Sequence, residues 1–84
     1  MNVIYKFQDK NGAKTTISIF KLTADVLKII HPNPTAWIQA TYDEVGITHP
    51  NLTRRKRGEL VRELASREAQ RHPEIYKNAM DAML

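Results

Sequence analysis

Between two stretches in which apolar and polar residues alternate lies Asp9-Lys10-Asn11-Gly12, and this turn restricts the first quarter of the chain to a β-hairpin. Val3, Tyr5 and Phe7 alternate before it and Ile17 and Ile19 after it, a period of two that fits strands and not helices. Two registers compete. A two-residue Asn11-Gly12 loop pairs Tyr5 with Ser18 and Lys6 with Ile17, which mixes the faces. A type I turn starting at Asp9, with Gly12 in the left-handed region, pairs Val3 with Ile19, Tyr5 with Ile17 and Phe7 with Thr15, giving one apolar face. The second register is expected, with a hairpin over 2–20. Its outer face then shows Lys6, Gln8, Lys14, Thr16 and Ser18, and Lys10 stands at the tip.

Beyond residue 20 the apolar spacing becomes helical. Thr23 is the expected N-cap of a helix over about 23–31 that carries Val26, Leu27 and Ile30 on one side. It stops at His31-Pro32-Asn33-Pro34, where Asn33 can cap the next helix and Pro34 suits its first position. That helix, about 34–45, has Trp37, Ile38, Thr41 and Val45 as its core stripe and Gly46 as its stop. A loop from Ile47 to Leu52 leads to Thr53, the cap of a helix over about 53–71 with a narrow stripe of Leu60, Val61, Leu64 and Ala65. Pro73 breaks the chain, and a last helix over about 73–83 offers Ile75, Tyr76, Ala79, Met80 and Met83. The expected fold is α+β: one domain over 1–84, an N-terminal β-hairpin packed on a small bundle of three to four α-helices.

With 84 residues the core is small and marginal by area. Apolar content of 42% with 26% charged residues still lies in the folded range and excludes a disordered chain. Cysteine is absent, which excludes disulfides and thiolate chemistry and fits a reducing compartment. The apolar runs near residue 28 are broken by Lys28, so no membrane span is expected, and the N-terminus lacks a signal peptide's apolar block. A cytoplasmic protein is the expectation.

Charge is the main functional clue. The net +4 is uneven, because residues 53–72 hold six Arg and one Lys against three Glu, while residues 23–52 are net acidic. All the arginines fall between positions 54 and 71. Arg54, Arg55, Lys56 and Arg57 open the basic helix, although the positive end of a helix dipole prefers Asp or Glu. Four adjacent cations also repel one another. A phosphate backbone would relieve both effects, and the exposed N–H groups of the first turn would add to it. The competing explanation is a solvated charge run, neutralised in part by Asp43 and Glu44 just upstream and by a local Arg55–Glu59 pair.

The outer hairpin face, with Lys10, Lys14 and Thr16, resembles what a β-ribbon presents to a groove, and equally an ordinary solvent face. Residues 34–71 do not fit a helix-turn-helix well, since their connection exceeds the usual three to four residues. His31, His49 and His72 lie beside prolines at separate helix boundaries, without metal-ligand spacing. Ser18 and Ser66 lack a nucleophile elbow, and Gly12, Gly46 and Gly58 are too far apart to cradle a phosphate. Trp37 belongs to a core stripe; Tyr42 and Tyr76 can stack bases or anchor a partner.

The expected function is therefore that of a small basic nucleic-acid-binding protein, DNA favoured over RNA, in a regulatory or accessory role. Arg54, Arg55, Lys56, Arg57 and Arg62 would contact phosphates, with Lys14, Thr16 and Lys10 extending the surface. No enzyme, cofactor or metal is expected. The alternative is a non-enzymatic protein-binding module, an inhibitor, an adaptor or a homodimer, using the basic helix or the Tyr76/Met80/Met83 end.

Overall fold

The computed structural model describes residues 1–84. It has a two-stranded antiparallel hairpin, β1 (Asn2–Gln8) and β2 (Lys14–Phe20), followed by four helices: α1 (Lys21–Ile30), α2 (Pro34–Thr48), α3 (Arg54–Gln70) and α4 (Pro73–Met83). The fold is α+β. Val3 pairs with Ile19, Tyr5 with Ile17 and Phe7 with Thr15, the register that keeps the apolar residues on one face. Gly12 supplies the one positive φ in the chain, +82°. Asp9 fastens the turn by accepting N–H bonds from Asn11 and Ala13, both 2.9 Å.

The inner hairpin face meets α1, α2 and α3 in one core that joins Phe7, Ile17, Ile19, Leu27, Ile38, Tyr42, Val45, Val61 and Ala65. Of the helices, α4 lies outermost, against α1 and α3, and buries no residue completely.

Two expected helix boundaries need correction. Thr23 is not an N-cap, because α1 begins at Lys21 without any side-chain cap. The strand runs straight into the helix, and the Lys21 N–H that a cap would serve is instead bonded to the Met1 carbonyl at 3.1 Å, continuing the hairpin ladder. Thr23 then falls in the first turn and is the only polar residue in the buried set.

Gly46 is not a stop either. The helix continues to Thr48, and the His49 N–H still bonds back to the Val45 carbonyl at 2.8 Å. The other boundaries follow the local chemistry. Asn33 accepts from the Ala36 N–H at 3.1 Å with Pro34 next to it, and Thr53 accepts from the Lys56 N–H at 3.2 Å.

His31, at the end of α1, is drawn into the bundle. Its ring stacks on Trp37 of α2 at 5.4 Å, and its Nε2 lies 2.8 Å from Oε2 of Glu68 in α3. Arg71 approaches the other oxygen of Glu68 at 3.4 Å. These contacts tie together three helix ends that the sequence offers only as punctuation.

Candidate nucleic-acid interface

Helix α3 turns one face to the hairpin, and the two enclose an open groove of about 1120 Å³. Positions 54, 55, 58, 59 and 62 of α3 line it at helical spacing. Lys6, Lys14 and Thr16 line it from the hairpin, where Lys6 and Thr16 are cross-strand partners. Phe7, Ile17 and Tyr42 also reach it from the core side. A smaller hollow of about 400 Å³ continues along β2 and α3, sharing Glu59 and Arg62 with the first.

The expected site residues divide. Arg54, Arg55, Arg62, Lys14 and Thr16 are brought together in this groove. Lys56 is exposed on the same helix turn but does not line the groove, and Lys10 stands at the hairpin tip outside it.

Arg57 points the other way. Its side chain is only 16% exposed, and its Nε donates to the Tyr42 carbonyl at 2.9 Å. The guanidinium carbon sits 3.7 Å from the centre of the Tyr42 ring. Nη2 is buried without a hydrogen bond, 3.9 Å from Asp43 Oδ1. The structure thus places Arg57 in the α2–α3 junction, away from the surface where the sequence expected it.

Each of the four cations at the start of α3 has a carboxylate within reach. Arg54 lies 3.6 Å from Asp9, Arg55 and Lys56 each lie 3.6 Å from Glu59, and Arg57 faces Asp43. Glu44 joins none of them. The dipole conflict at this helix end is therefore eased from within the protein. The contacts of Arg54, Arg55 and Lys56 are loose charge contacts and not hydrogen bonds, so their N–H groups remain available. Exposed pairs of this kind contribute about 0–1 kcal/mol and exchange readily. Lys6, Lys14 and Arg62 pair with no carboxylate at all. The groove carries five cations against Glu59 alone.

Reasoning from sequence put Lys6 on the outer hairpin face but not among the phosphate contacts, and it missed Glu59 as a groove residue and Asp9 as the partner of Arg54. The signal for Lys6 was present, since its register position opposite Thr16 puts it on the same face. For Asp9 and Arg54 there was none, because their approach depends on how the hairpin docks on α3.

Of the aromatic candidates, Tyr42 is not free to stack on bases. Tyr42 is 2% exposed and packs edge-on against Phe7, with ring centres 5.0 Å apart. Tyr76 is half-buried on α4, while Met80 and Met83 are exposed there and line no part of the groove. The three histidines lie apart, and no cluster of His, Asp and Glu has the arrangement to hold a metal ion. No helix is long and apolar enough to cross a membrane.

These features define a small α+β protein with a cationic groove between its hairpin and its third helix. No protein-family model, curated protein or solved structure matches the chain.

Proposed function

We propose that this protein binds nucleic acid through its phosphates, with the groove between hairpin and α3 as the contact surface. The observation that carries the reading is the convergence of Lys6, Lys14 and Arg62, none of them paired, on the groove already flanked by Arg54 and Arg55. Charges separated by some fifty residues in sequence face one another across a gap. Such an arrangement raises the local potential and draws in a polyanion. Binding is driven by release of condensed counterions. The role follows as sequence-tolerant docking in an accessory capacity, in the cytoplasm.

The test is fluorescence anisotropy with labelled random-sequence oligonucleotides over a salt series. Engagement of all five groove cations gives a slope of log K against log salt of about −3.5 on single strands or −4.5 on duplex. Arg55→Ala and Arg62→Ala are expected to lower the slope by about one each. Equal affinity for poly-L-glutamate would turn the reading toward an acidic protein partner. Absence of binding to either oligonucleotide form at low salt would end it.

A further inference from the structure

Gly58 sits at the centre of the groove-lining face of α3, with Arg54 and Arg55 about one turn before it and Arg62 one turn after. A glycine inside a helix destabilises it relative to alanine. A positive φ or a close approach of neighbouring atoms commonly explains such a residue. Gly58 has neither. Its φ is not positive, and a Cβ built on it meets no atom within 4 Å. Nothing in the protein uses the space in front of its backbone, and that space opens between the Arg residues and the hairpin lysines.

Resting on the phosphate-binding reading, we propose that the groove takes a single nucleic-acid strand, whose sugar–phosphate backbone runs against the bare helix backbone at Gly58. Lys6 and Lys14 then flank the strand from one wall, and Arg54, Arg55 and Arg62 from the other. The shape of the site favours a single strand over a duplex. The cations line a gap between one helix and one hairpin from both sides. A duplex is rigid and broad, with grooves about 12 Å and 6 Å wide between its backbones. It follows two such walls only at a cost in deformation. A flexible strand enters. With Phe7 and Tyr42 buried, the groove itself holds the strand by its backbone.

The experiment compares wild type, Gly58→Ala and Gly58→Leu for binding to a labelled single strand and to a duplex of equal length, at one low salt concentration. Urea denaturation of each variant runs alongside. Wild type is expected to bind the single strand about tenfold more tightly than the duplex. Gly58→Ala is expected to weaken single-strand binding about fivefold and Gly58→Leu further, on the scale of inserting atoms into a filled contact, while duplex binding stays unchanged. Both variants should resist urea at least as well as wild type, which separates lost contact from lost folding.

Unchanged or tighter single-strand binding by Gly58→Ala would overturn the close approach. Duplex binding equal to or tighter than single-strand binding would overturn the choice of strand and leave phosphate binding standing. Failure of both forms to bind would remove the phosphate reading itself.

Discussion

Two glycines interrupt two helices of this protein, and they do so for opposite reasons. At Gly46 in α2, a Cβ would collide with the Arg57 guanidinium, lying 2.9 Å from Nη1 and closer still to Cζ. At Gly58 in α3, a Cβ would meet nothing. The first glycine exists for an internal partner and the second has none inside the chain. The same division runs through the adjacent cations. Arg57 is fixed by Tyr42 and by the gap at Gly46, whereas Arg55 is 88% exposed and holds only a loose contact with Glu59. The difference shows that residue type alone does not mark a position whose reason lies outside the chain. What marks it is whether the surrounding atoms account for it.

The contrast is sharpest in stability, and the largest effect is expected at Arg57. Replacing it with alanine removes a charged hydrogen bond and a cation–π contact, offset in part because the unpartnered Nη2 disappears. The net loss should be about 2 kcal/mol, read as a lower urea midpoint with unchanged slope.

Gly46→Ala is expected to destabilise by about 1 kcal/mol, against the usual gain of alanine in a helix, because the guanidinium must be displaced. The double variant should then lose little more than Arg57→Ala alone, since both changes disrupt one contact. Additive losses would show that Gly46 and Arg57 act separately.

Gly58→Ala should move the other way, raising stability by about 0.5–1 kcal/mol. A loss at this position would break the comparison with Gly46.

The smallest effect concerns the hairpin beneath the groove. Burial, and then the nearby Asp25 carboxylate, raise the Tyr5 phenol above its ordinary value of 10.0. The folded protein therefore holds this proton more firmly than the unfolded chain. The corresponding stability is fully present below the ordinary value and lost as pH rises through the folded value. Urea midpoints measured across the alkaline range should fall less steeply in Tyr5→Phe than in wild type.

The legible parts of the fold are those set by neighbours in sequence. Asp9 and Gly12 define the turn, the alternation of Val3, Tyr5 and Phe7 defines the register, and Asn33, Pro34 and Thr53 mark helix starts by side-chain chemistry that acts within three residues. The illegible parts depend on distant partners. Thr23 has the composition of a cap, yet the hairpin ladder already supplies what a cap would supply. Gly46 has the composition of a stop, yet its lack of a side chain serves an arginine on another helix. Arg57 is indistinguishable from Arg54, Arg55 and Lys56 in the one-dimensional pattern, and only the rotation of α3 against α2 separates them. The groove was half visible: the helix face and the lysine face could each be drawn, but their convergence is a property of docking.

Helix α4 carries a different kind of consequence. No residue of it is fully buried, and it has no side-chain cap at its start. The other elements each contribute buried side chains to the central cluster or its surroundings. In the language of amide exchange, the amides of α4 are expected to exchange ahead of those in the hairpin and α1–α3. Its opening leaves the groove intact and strips cover from one side of α1. A ladder of states is thus expected, with the lowest rung at a helix that lines no part of the groove.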